Sequence, residues 1–218
     1  MGRAILSLAT AWFLVHLAVP GAARTLAERL RARGYEPVTE EGGVSVFRQA
    51  QSDTIRLVAE GRFAAPPERV RAALLDYERH VGCVARLAES RVLARDDDSL
   101  LVYQRLSLPV VADRDMTLRV TWGAEAGGSW IAYRAVTGEG PACPEGVVRL
   151  TRYRGRWQLR PADGGRATVA RLSVDMDMGG SLPPRLAAAN AGQDLPALYA
   201  AISSLLDPAD AAATTTRR

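Results

Sequence analysis

Few side chains in this sequence could do chemistry at neutral pH. Two cysteines, Cys83 and Cys143, and two histidines, His16 and His80, are the soft or readily titrating groups. All 28 bases are arginine, which excludes a lysine nucleophile, a Schiff base and a P-loop, whose lysine must reach a phosphate. Neither C-x-x-C nor H-x-x-x-H spacing occurs, so no metal and no cofactor are expected. The G-x-S-x-G nucleophile elbow does not occur either. His80 follows Glu78 and Arg79 and precedes Cys83, and it is the one ordinary candidate for a neutral-pH base in the exported chain. A Cys83–His80 dyad would be hydrolytic, but no other motif supports it and no catalytic residue is assigned.

Composition narrows the class. The chain has 218 residues, 48% hydrophobic and 24% charged, which describes a globular protein with a substantial core. A net charge of +4 is too small to point to nucleic acid, and the lysine-free, alanine-rich composition fits a GC-rich genome better than an anionic partner. The first 23 residues hold one base, Arg3, and no acid. An apolar run from Ala4 to Val19 follows, then Pro20-Gly21-Ala22-Ala23. That is the layout of a secretory signal, and the run is short of the ~20 residues that span a bilayer. Residues 1–23 are therefore expected to be removed, leaving a periplasmic or secreted protein. The alternative is an uncleaved N-terminal membrane anchor. Export permits a Cys83–Cys143 disulfide, worth about 4 kcal/mol in the simple loop-entropy picture. The alternative is two buried free thiols.

The elements that must position any site follow from periodicity. Residues 24–34 read as a short amphipathic helix with Leu26 and Leu30 on one face and Gly34 at its end. Val44–Gln49 and Thr54–Phe63 read as strands; in the second, Ile55, Leu57, Ala59 and Phe63 share a face. Ala65-Pro66-Pro67 opens a helix carrying Val70, Ala73, Leu74 and Tyr77 at helical spacing. About six strands fill Ser90 to Met178, with turns marked at Asp96–Asp98, Pro109, Gly127-Gly128, Gly138–Gly146, Gly155 and Gly164-Gly165. Along Arg114–Trp122 the residues Arg114, Met116, Leu118, Val120 and Trp122 face one way. Along Thr168–Met178 so do Leu172, Val174, Met176 and Met178. A long helix from Pro184 to Leu206 closes the chain, with Gly192 as its weak point, and residues 207–218 read as a disordered tail. Antiparallel strands ending in one long amphipathic helix predict an α+β fold in which a curved sheet wraps that helix and leaves an apolar cavity.

Six stretches in this order resemble the START family of lipid-transfer domains, within the helix-grip superfamily that includes polyketide cyclases. They are Gly43-Val44-Ser45-Val46-Phe47-Arg48; Ala65-Pro66-Pro67-Glu68-Arg69-Val70 with Leu75-Asp76; Ser90-Arg91-Val92-Leu93; Pro109 through Arg114-Asp115; Val148-Arg149 with Gly155-Arg156-Trp157; and Gly179-Gly180-Ser181-Leu182-Pro183 with Asn190. The resemblance covers roughly residues 35–206 and places one such domain over 24–206. It implies a monomeric carrier of a lipid or other hydrophobic small molecule that touches membranes transiently, with the C-terminal helix as lid. Leu106, Arg114, Met116, Leu118, Val120, Trp122, Leu172, Val174, Met176, Leu186, Asn190 and Leu195 are the expected ligand contacts. Arg114 would meet a polar atom of the ligand or make a structural ion pair. Some cholesterol-binding members pair that arginine with an acid on the preceding strand. Here Leu100–Leu108 offers Leu101, Val102, Gln104 and Leu106 instead, so a sterol held by such a pair is not implied. The alternative is an aromatase/cyclase-like or hydrolytic helix-grip enzyme acting on a bound hydrophobe.

Overall fold

The computed structural model describes residues 25–180 and 191–207. The proposed signal segment, Leu186, Asn190 and residues 208–218 lie outside the described residues. Helix α1 (Leu26–Arg31) leads into β1 (Tyr35–Glu41), β2 (Val44–Gln49) and β3 (Ile55–Phe63). Helix α2 (Pro67–Leu75) and a 3-10 turn (Tyr77–His80) follow. Then come β4 (Leu87–Arg95), β5 (Ser99–Leu106), β6 (Arg114–Glu125), β7 (Gly128–Ala135), β8 (Val148–Arg149), β9 (Tyr153–Ala162), β10 (Ala167–Met176) and the C-terminal α3 (Leu195–Leu205). The strands form one curved sheet in the order β1-β2-β3-β10-β9-β7-β6-β5-β4. Every pair along that path is antiparallel, and the two-residue β8 adds to β6 in parallel.

Strand alternation builds the two faces. On β3, Ile55, Leu57, Ala59 and Phe63 are buried on the concave side, where they join the main core with α2 and α3. Val58, of opposite parity, is buried on the convex side with Phe47 of β2 and Leu30 of α1. Helix α1 is short, and a reciprocal capping box closes its start. The Glu28 amide donates to Thr25 Oγ1 (3.2 Å) and the Thr25 amide donates to Glu28 Oε2 (2.8 Å). The convex face is otherwise laced with cross-strand arginine–carboxylate pairs such as Arg171–Glu60 (2.6 Å) and Arg156–Glu125 (2.8 Å).

Three expectations change. Strand β1 is an additional element: Tyr35–Glu41 carries Pro37 and three glutamates and shows no apolar alternation. An edge strand tolerates both, because proline's missing N–H faces away from the ladder and charges discourage further pairing. Gly155 is not at a turn but within β9, opposite Tyr133. The C-terminal helix is shorter than Pro184–Leu206 implied. Within the described residues it runs from Leu195, behind a turn in which Gly192 adopts φ +93°, a conformation that interrupts helical geometry.

Tyr199 ties helix α3 to the sheet. Tyr199 is 3% exposed, and its hydroxyl is shared between the carbonyls of Ala59 (3.2 Å) and Ala170 (3.0 Å). Its ring stacks on Phe63 at 5.3 Å and lies 5.3 Å from Trp157. The ring can reach the strands because Gly61 lies under it: a Cβ there would sit 2.8 Å from two ring carbons and 2.9 Å from Val44 Cγ2. Gly61→Ala should therefore push α3 off its seat, and overpacking of a fixed core costs about 1–3 kcal/mol. Urea unfolding should report that loss; an unchanged midpoint would mean that Tyr199 is not pinned.

Candidate functional site

Beneath α3 the concave face holds a partly open cavity of about 180 Å³. The roof is Leu195, Leu198 and Ile202 of α3; one side is Leu74 of α2 with Tyr77, His80, Val84 and Leu87. The floor is Leu57, Gln104, Leu106, Leu118, Tyr133, Tyr153, Trp157, Leu172, Val174 and Met176. Strand parity explains the floor, since each residue sits on the concave side of its strand. No carboxylate and no guanidinium is among these described lining residues.

Of the expected contacts, Leu106, Leu118, Leu172, Val174, Met176 and Leu195 line the cavity. Met116 and Val120 share the face of Leu118 but are packed into the core at 1% and 0% exposure, away from the cavity wall. Trp122, farther along β6, packs against the outer part of the core. Arg114 points inward, as its parity requires, and is 2% exposed, but the expected structural ion pair is not found. Its guanidinium donates to three backbone carbonyls, those of Ala112, Met178 (3.2 Å) and Gly179 (3.4 Å), and to no carboxylate among the described residues. Those carbonyls solvate the buried cation in place of an acid, and they tie β6 to the segment that follows β10. The residue directly opposite Arg114 on β5 is Leu106, where no counter-charge is available.

Its neighbour Asp115 faces the convex side and is fully buried. Arg149 of β8 donates to both of its oxygens (2.9 and 2.5 Å), and the Tyr103 hydroxyl donates as well (3.2 Å). Burial alone would raise this carboxyl. The Arg149 hydrogen bonds and charge outweigh that and hold it below the usual carboxylate range. The pair anchors β8 to β6 and lies outside the cavity.

The expected Cys83–Cys143 bridge is not formed; both cysteines are free. Cys143 lies against Asp115, its thiol directed to that carboxylate (3.6 Å) and to the Val147 carbonyl (3.3 Å). Cys83 follows the turn beside the cavity and donates to the carbonyls of Arg79 and His80 (both 3.3 Å). The two thiols are thus directed to different partners. The Cys83–His80 dyad is not formed either, since the Cys83 thiol is directed to backbone oxygens rather than to the imidazole.

His80 is 6% exposed and within 3.0 Å of the Ala73 carbonyl through Nε2. A carbonyl only accepts, so Nε2 carries the proton and Nδ1 is left as an acceptor. Burial lowers the His80 pKa, and the Ala73 carbonyl and the Asp76 charge oppose this more weakly. The missed site residues are mostly polar: Tyr77, His80, Gln104, Tyr133 and Tyr153. One signal for Tyr133 was present in the sequence. A glycine opposite an aromatic on a neighbouring strand makes room for the ring, and a Cβ on Gly155 would lie 2.2 Å from the Tyr133 hydroxyl.

This architecture is a helix-grip fold closed over an apolar cavity. A family model described as polyketide cyclase / dehydrase and lipid transport matches residues 63–203, and the chain belongs to that family. A STAR-related lipid transfer protein from Xanthomonas axonopodis has the same fold, at TM-score 0.72 and 24% identity, over 79% of this chain and 98% of that one. Human StAR-related lipid transfer protein 5 superposes at 0.64 and 17% identity, over 83% and 91%. An aromatase/cyclase from Streptomyces sp. R1128, ZhuI, superposes at 0.54 and 16%, over 70% and 93%. Comparison with curated protein sequences gives no match.

His80 makes stability depend on pH in a predictable direction. Its folded pKa lies below the unfolded value of about 6.5, so below that pH the unfolded chain binds the extra proton first. Stability should be level above about pH 6.5 and fall as pH drops toward the lowered folded value. His80→Gln should flatten that slope in thermal melts between pH 7 and about 5.5; an equal slope in the variant would place the titration elsewhere.

Proposed function

We propose that the protein binds a hydrophobic small molecule in this cavity and carries it between membranes after export to the periplasm, with α3 as the lid. The observation that carries the reading is the roof. Leu195, Leu198 and Ile202 complete an apolar wall that would otherwise open to solvent. A carrier needs no nucleophile, only a dry enclosure and a way in. The enclosure at about 180 Å³ is somewhat larger than an apolar cavity of ~150 Å³ that admits benzene, so a lipid-sized ligand requires α3 to lift. Two features support such movement. The turn at Gly192 separates α3 from what precedes it, and the N-cap residue Asp194 makes no side-chain capping bond. Transient membrane contact and a monomeric state belong to the same proposal, as does removal of residues 1–23.

A second reading, chemistry on the bound molecule in the manner of an aromatase/cyclase, draws on one observation: a neutral imidazole and three tyrosines border the cavity. One experiment separates the two readings. Protein purified from its own host should release a hydrophobic molecule at about one equivalent on organic extraction, and should pass a fluorescent lipid between vesicles without altering it. Chemically changed lipid would favour the enzyme. An empty extract with no uptake would sink both.

A further inference from the structure

The cavity wall is apolar except for Gln104 and a place where four rings gather. Tyr77 and His80, on one 3-10 turn, have ring centroids 5.3 Å apart; Tyr133 and Tyr153, on β7 and β9, are also 5.3 Å apart. Tyr77 and Tyr133 each lie close enough to Tyr153 for its charge to influence them. The group is deeply placed: Tyr77 is 8% exposed and His80 6%.

Hydrogen-bond accounting at this cluster leaves groups unused. Tyr77 is at the cavity wall, and no hydrogen bond of its hydroxyl is found among the described residues. His80 uses Nε2–H on Ala73 and keeps Nδ1 as an acceptor. The rings of Tyr133 and Tyr153 are in contact, and a hydrogen bond between them would consume at most one of their two hydroxyl protons. A donor and an acceptor on the wall of a largely apolar cavity mark where a ligand's polar atom belongs.

Charge sets the class of that atom. All four groups are neutral at physiological pH: burial raises the tyrosine hydroxyls and lowers the imidazole. With no guanidinium among the described lining residues, an ionised carboxylate or phosphate would be buried unpaired, which is far costlier than burying a hydroxyl that is hydrogen-bonded. We infer that the cavity selects a neutral hydrophobe bearing one hydroxyl or carbonyl oxygen, with the Tyr77 hydroxyl donating to that oxygen and His80 Nδ1 accepting from a hydroxyl. Hydrocarbons leave these groups unpaired, and fatty-acid-like anions lack a counter-charge. This rests on the carrier reading and narrows its ligand.

The test uses three probes of similar size, naphthalene, 2-naphthol and 2-naphthoate, titrated calorimetrically at neutral pH into the exported protein. The wild type should bind 2-naphthol about fivefold to tenfold more tightly than naphthalene, the range one hydrogen bond supplies, and 2-naphthoate most weakly. Tyr77→Phe, which removes a single oxygen, should erase the naphthol preference while leaving naphthalene affinity within about twofold. His80→Phe should reduce it in part. Equal binding of naphthol and naphthalene by the wild type would overturn this inference and leave the carrier reading intact, as would a preference that survives both substitutions. Failure of all three probes to bind would overturn both. Should Tyr77→Phe not fold, as judged by its thermal transition, Tyr153→Phe probes the same cluster and should also lower the naphthol preference. No change there would count against the inference.

Discussion

The structure depends on the seating of Tyr199 over Gly61. A sheet this broad exposes a concave apolar face that no single short helix covers by area alone, so the helix must be held at a defined place. The small residues Ala59, Gly61 and Ala170 create that place on β3 and β10. Tyr199 fills it with a ring stacked on Phe63 and a hydroxyl bonded to strand carbonyls. Because α3 is fixed there, Leu195, Leu198 and Ile202 stand over the floor instead of collapsing into it, and the cavity persists. Close-packed interiors eliminate voids unless something rigid spans them. Here the span is anchored mainly by one aromatic side chain and the glycine beneath it.

The arginines divide by face. On the convex side they pair across strands with glutamate and aspartate, and Arg149 secures Asp115 there. Arg114 is the exception, since it turns inward. With Leu106 opposite it, its only acceptors among the described residues are the carbonyls of Ala112, Met178 and Gly179. The arginine that a resemblance to cholesterol-binding members would assign to a ligand therefore holds backbone in this protein. It fastens the segment that leaves β10 toward the C-terminal helix.

Much of the fold could be read from alternation. The inward rows on β3, β6 and β10 follow the period of two seen in the sequence, although the start of β6 is buried on both faces, and Pro66-Pro67 starts α2 as its chemistry demands. The edge strand β1 was not legible, because an edge need not alternate and can carry Pro37. The site was legible where a strand supplied a continuous apolar row, as with Leu172, Val174 and Met176. It was illegible where the wall is polar. Tyr77 looked like the last core position of a helix, and His80 looked like a loop base. Neither pattern reveals that a turn folds both rings onto tyrosines more than fifty positions away in the chain. The disulfide failed for a related reason. Two cysteines in a sequence say nothing about whether the fold brings their side chains together.

The central claim is that the space beneath α3 is a binding site and not a packing defect. Filling it is the direct measurement. Leu118→Phe adds volume at the floor without adding charge, and a cavity of about 180 Å³ can take the ring. Calorimetric titration of the variant with 2-naphthol should show at least a tenfold loss of affinity, while the thermal midpoint holds or rises because the void is filled. Unaltered binding in a folded variant would contradict the account and place the ligand outside this cavity.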